Sequence, residues 1–245
     1  MRERFRRFAA ALPFIHPTLV DPSELRPYAD PETRKIMLEC LSAAQAFRLD
    51  VFSVGSELGS AILGMAVPVY RLESLRGKDE SGFSYLDRPT YSEYEFENYL
   101  LRANLLWDRT LQLANVLLRL GLAAEAVDWE RIQERVGGSD YEVLESLRSF
   151  RRAMGGIRRA RNAAVHISRL TLEHWSDPTV PCYVGAKTID PHDKEGLMRW
   201  NDSALDDTLR LIDSHNERIG TAFAVVCRIL HRRLDQALRD PEITL

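Results

Sequence analysis

A chain of 245 residues and 28.0 kDa is long enough for one large domain or two small ones. Hydrophobic residues make up 45% and charged residues 28%, ordinary values for a globular protein. The net charge of −3 excludes a polycation that binds nucleic acid by bulk attraction, so any such contact has to come from a local basic patch.

Residues 1–31 read as a proline-punctuated lead, with Pro13, Pro17, Pro22 and Pro27. Arg6 and Arg7 before an Ala-rich stretch superficially resemble a secretion signal. The apolar run is short, Pro13 breaks it, and no small-residue cleavage site follows before Asp21. No window approaches 18 uninterrupted apolar residues, which argues against a membrane span. Cys40, Cys182 and Cys227 are odd in number, far apart and without metal-type spacing. They read as reduced thiols, and the expected location is cytoplasmic.

From there almost every long segment predicts helix. Asp30, Pro31 and Glu32 supply a cap, a first-turn proline and an acid. Ile36, Leu41, Ala44, Phe47, Val51 and Phe52 carry an apolar stripe towards Gly64, before Pro68 and the stretch 77–89 break it. Ser92 with Glu95 forms a capping-box pattern, opening a second long helix that runs to Gly121. A short helix is expected over 128–136, closed by Gly137 and Gly138.

Ser139 and Asp140 cap a third long helix, to about residue 170, in which Gly155 and Gly156 predict a kink or hinge. The stretch 171–200 holds Pro178, Pro181, Gly185, Pro191 and Gly196, and reads as one long ordered loop with room for a short hairpin over 180–189. The fourth long helix is expected over 201–239. The sum is all-α: one domain over 32–245, most simply an up-and-down bundle of four long helices plus short helices, with the long loop before the last helix.

The stretch 161–166 carries the chemistry. Asn162 and His166 are four apart and share a helical face, with Arg158 a turn further back and Arg161 beside it. Residues 151–169 hold Arg151, Arg152, Arg158, Arg159, Arg161 and Arg169 and no acid. A positive helix with one titratable imidazole suits a phosphodiester: arginine neutralises the phosphate, and histidine moves the 2′-hydroxyl or leaving-group proton. Asn162 would orient His166 or bind a phosphate oxygen. The bare Arg-x4-His spacing is expected roughly 0.7 times by chance in this composition, but with Asn directly after Arg only about 0.02 times. A capped, solvated helix face with an incidental histidine is the bland alternative.

Arg161-Asn162, three residues and His166, late in an all-α bundle, resemble the signature of the HEPN superfamily. The resemblance implies a metal-independent RNA endonuclease without cofactors, with Arg161 and His166 catalytic and Asn162 supporting. It also implies a homodimer with a composite active site, and a role as toxin, antiviral effector or processing factor, with an antitoxin or regulatory protein as a further partner. Arg158, Arg159 and Arg169 would grip the RNA phosphates, and Trp175 could stack a base. The rival is a non-catalytic helical module that binds a protein partner or a nucleotide through the same basic face, 151–169.

Other polar groups carry less. Glu95, Glu97, Asn98, Arg102 and Asn104 read as the solvated side of the second helix. His174 and His192, with Asp177, Asp190 and Asp193, lack metal-site spacing. Arg210 and His215 repeat the Arg-x4-His spacing, but Asp206, Asp207, Asp213 and Glu217 surround them, and they read as a salt-bridged surface. Trp107, Trp129 and Trp200 read as packing residues.

Overall fold

Apolar residues three and four apart build four long helices, and these form the frame of the computed structural model. The structure describes residues 5–15, 41–75, 88–138, 140–175, 183–184, 187–188 and 194–239; between 159 and 201 it describes backbone only. The elements are a 3₁₀ helix (Arg6–Ile15), α1 (Ala43–Ser74), α2 (Arg88–Leu117), a 3₁₀ turn (Ala124–Ala126), α3 (Trp129–Val136), α4 (Tyr141–Trp175), β1 (Tyr183–Val184), β2 (Lys187–Thr188) and α5 (Lys194–Ala237). The all-α class is as expected. β1 and β2 pair antiparallel as a small hairpin inside the predicted 180–189 window.

Several boundaries differ from the sequence reading, each for a local reason. The start predicted at residues 30–32 lies outside the described residues. α1 has a reciprocal cap instead: Gln45 N donates to Ser42 Oγ at 3.2 Å, and Ser42 N donates to Gln45 Oε1 at 3.0 Å. Pro68 does not end α1, which continues six residues further; the proline is buried in the core face, where packing offsets its missing N–H. α2 begins at Arg88, with Pro89 in its first turn, so Ser92 and Glu95 lie inside the helix and form no cap.

α2 ends in a Schellman arrangement. Leu120 N donates to Asn115 O, Arg119 N to Val116 O, and Arg119 takes φ 52°, a conformation that favours glycine. The Asn115 side chain then ties down Leu122 through both its amide and its oxygen. α3 starts on Asp128, which accepts from Arg131 N at 2.8 Å, and stops at Gly137 with φ 55°. α4 and α5 together overrun the expected long loop: α4 reaches Trp175 and α5 already begins at Lys194.

Side-chain pairs fix the registers. Arg71 meets Glu95, Gly64 lies against Arg102, and Glu57 meets Arg109, so α1 and α2 are antiparallel. Asp140 meets Arg233, Glu142 meets Arg232, and Phe150 packs on Phe223, so α4 and α5 are antiparallel too. Trp107 joins α2 to Phe150 at 5.6 Å between centroids, and the Tyr99 hydroxyl reaches Asn216 of α5 at 3.0 Å. Phe8, Ala11 and Phe14 of the N-terminal 3₁₀ helix complete this same core, against α1 and α5. By length and composition α1 could cross a membrane, with mean hydropathy 1.4 over its most apolar stretch, yet Val51, Leu58, Met65, Val69 and Leu72 face the core.

A basic helix crossed by buried polar groups

The helical backbone of α4 is unbroken through Gly155 and Gly156 and on through 161–166. Asn162 and His166 therefore lie one turn apart on one side of α4, with Arg161 adjacent. The side chains of Arg159, Arg161, Asn162, His166, Arg169 and Trp175 lie outside the described residues, as do those of His174, Asp177, Asp190, His192, Asp193 and Trp200. Trp175, expected in a loop beside the site, is instead the last residue of α4, nine residues and roughly 13 Å along the axis from His166.

The described part of the basic stretch divides into two kinds of arginine. Arg151 is held by Glu130 at 3.0 Å, and its guanidinium lies over the Trp129 ring at 5.4 Å. It ties α3 to α4. Arg152 and Arg158 are exposed, and among the described residues no acid is paired with either. They are free to meet an anion.

His215 does not lie on a salt-bridged surface. Arg210 does pair there with Asp207, but His215 is 6% exposed and Asn216 2%. The physical reason is the stripe they interrupt: Leu205, Leu209, Ile212, Ile219 and Phe223 are buried at three-four spacing, which turns 215 and 216 inward. Tyr99 donates to Asn216 Oδ1, and burial drives the Tyr99 hydroxyl pKa upward. His215 Nδ1 is buried, with no hydrogen-bond partner among the described residues. Burial first, and the Arg218 charge second, hold its pKa below the usual histidine value, so the ring is neutral at pH 7. Its other nitrogen faces Gly156: a Cβ there would lie 3.6 Å from His215 Nε2 and 2.5 Å from Arg218 Nη2.

Glu95 also departs from expectation. It is fully buried, and Arg71 of α1 donates to its Oε1 at 3.0 Å. The Tyr91 hydroxyl is a second hydrogen-bond partner of this carboxylate. Glu97 and Asn98 are half-buried, whereas Arg102 is exposed. The signal for this layer was present in the spacing, because Glu95 and Tyr99 are one turn apart on the α2 core face with Leu106 beyond them.

Two further surface features lie outside the sequence reading. A groove of about 850 Å³ opens at the other end of α1 and α2, lined by Phe47, Asp50, Glu57, Arg109, Asn115 and Arg119 among others. Arg119 lies over Phe47 at 5.3 Å, and burial raises the Asp50 pKa. On α1, Leu63, Val67 and Tyr70 form an exposed apolar stripe, with Tyr94 and Leu101 of α2 exposed at matching levels. No family model, no curated protein and no solved structure matches this chain.

Proposed function

We propose that the chain is a metal-independent RNA endonuclease of HEPN type, cytoplasmic and homodimeric, acting as a toxin or antiviral effector. The observation that carries this reading is the uninterrupted helix through 161–166, which keeps Asn162 and His166 one turn apart beside Arg161. Exposed Arg152 and Arg158, without paired acids among the described residues, support the phosphate-binding side of it.

In this mechanism the 2′-oxygen attacks phosphorus, the bond to the 5′-oxygen breaks, and a 2′,3′-cyclic phosphate and a 5′-hydroxyl result. One imidazole takes the 2′-hydroxyl proton and one protonates the leaving oxygen, which two copies of His166 across a dimer axis would supply. Arg161 stabilises the extra charge on the phosphate oxygens. Asn162 positions His166. The chemistry uses no metal or cofactor.

The test is expression of wild type beside Arg161→Ala and His166→Ala in a bacterial host, reading growth and total RNA together. Growth arrest and RNA fragmentation in wild type alone are expected, as is cleavage by purified wild type in EDTA. Cleavage that survives both substitutions would sink the assignment. A second reading has one observation in its favour: the exposed stripe of Leu63, Val67 and Tyr70 with Tyr94 and Leu101 suits a module whose work is to bind a protein, such as an antitoxin or regulator. Under that reading the basic face binds a partner or nucleotide without cleaving it.

A further inference from the structure

Gly156 sits in mid-helix, where glycine costs about 1 kcal/mol against alanine. Its neighbour Gly155 has open space where a Cβ would be. Gly156 does not, because the Arg218 guanidinium of α5 lies across its bare backbone, with the His215 ring beside it. On the same helix Arg210, Arg232 and Arg233 are each held by a carboxylate. Arg218 is exposed and has no paired acid among the described residues, and adjacent Glu217 is already engaged by Arg7. Beside it, His215 keeps a buried Nδ1 without a partner among the described residues, and its Nε2 is the nitrogen turned towards Gly156.

We propose that Arg218 and His215, laid across Gly156, form a phosphodiester subsite that holds the RNA strand next to the 161–166 segment. The proposal rests on the RNA reading above. Arginine's planar fork suits two phosphate oxygens, and the imidazole, as its Nε2–H tautomer, donates to the same anion. Exposed Arg158, two residues past Gly156, points from the opposite side of α4 and so stays with the Asn162 face rather than with this subsite. From Gly156 to Asn162 is six residues, roughly 9 Å along the axis and about 120° around it, so a strand joining the two would wrap partly around α4. The Tyr99–Asn216 hydrogen bond anchors this part of α5, so the subsite is built on fixed elements.

The test uses the full chain and a fluorescent single-stranded RNA with 2′-O-methyl riboses, which binds but has no attacking hydroxyl. Anisotropy titrations between 50 and 200 mM salt should show Arg218→Gln weakening affinity about 5- to 10-fold, with the salt slope shallower by about 0.7. Gly156→Ala keeps the charge but pushes the guanidinium aside. It should weaken binding in the same direction while raising thermal stability, a combination that a merely structural glycine would not give. Wild-type affinity and slope in both variants, with Arg161→Ala still weakened, would overturn the subsite and leave the RNA site standing. No binding by wild type would overturn the subsite as well. Cleavage of an unmodified strand is read separately: if wild type does not cleave, yet Arg218→Gln loses affinity, the subsite holds and the nuclease reading fails.

Discussion

Replacing Gly55 by alanine should destabilise the protein, although alanine is the better helix former by about 1 kcal/mol. A Cβ at Gly55 would fall well inside the carbonyl oxygen of Phe14, 2.8 Å from the Phe14 carbonyl carbon and 3.0 Å from its Cβ. These atoms belong to a backbone and a seated ring, so no flexible side-chain tip can swing away. The N-terminal 3₁₀ helix has to retreat. Overpacking of this kind costs about 1–3 kcal/mol. Full release, exposing Phe8 and Phe14, would cost about 3–6 kcal/mol and sets the upper limit. After subtracting the propensity gain, a net loss of about 2 kcal/mol is expected. At an m-value of about 2 kcal/mol/M the urea midpoint falls by about 1 M. Trypsin should also cut sooner after Arg6 or Arg7. Gly155→Ala, with open space around its Cβ position, is the control and should gain up to about 1 kcal/mol. A Gly55→Ala midpoint at or above wild type would refute the close approach of Phe14.

Tyr99→Phe removes the donor to Asn216 Oδ1 and leaves that oxygen bare in the core, so equilibrium unfolding should show a loss of about 1–2 kcal/mol; an unchanged midpoint contradicts it. His215 has a folded-state pKa below its unfolded value near 6.5, so its contribution is complete above that pH and is lost as pH falls beneath it. Between pH 7.5 and 5.5 the wild-type urea midpoint should therefore drop further than that of His215→Gln, and equal drops would disprove the assignment. Asp50 has the opposite sign: burial raises its pKa, so its contribution is complete below about pH 3.8 and lost as pH rises through the folded value. Asp50→Asn should raise the midpoint at pH 7 and leave it unchanged near pH 3.5; no gain at pH 7 would argue against a desolvated carboxylate.

The all-α class and the approximate spans of the long helices were legible because apolar spacing of three and four residues is a direct image of a buried helix face. The cap at Asp140 was legible from its place just before a periodic run, although its second partner, Arg233 of α5, was not. Ser92 misled because a capping pattern is local, whereas Glu95 answers to Arg71 on another helix. Pro68 misled because its cost depends on what packs around it. His215 looked like surface because acids stand beside it in sequence, yet they point elsewhere around the helix. Arg161, Asn162 and His166 are singled out by residue type and spacing alone; the structure adds that the backbone through them is helical and describes none of their side chains. The Arg218–Gly156 approach had no sequence signal beyond a glycine in mid-helix, since the partner lies on a different helix.

The N-terminal 3₁₀ helix has a consequence for how the chain is made. Its partners on α5 leave the ribosome long after it does: Arg7 binds the Glu217 carbonyl and Thr221, Phe8 packs on Phe223, and the Phe14 ring lies near His231. Residue 231 is synthesised 216 positions after residue 15, which at 5–20 residues per second is a wait of roughly 10–45 s. Throughout that interval Phe8 and Phe14 have no finished seat. A segment made before α5 thus docks only after it, and nascent chains halted before α5 emerges should be bound by chaperones at Phe8 and Phe14.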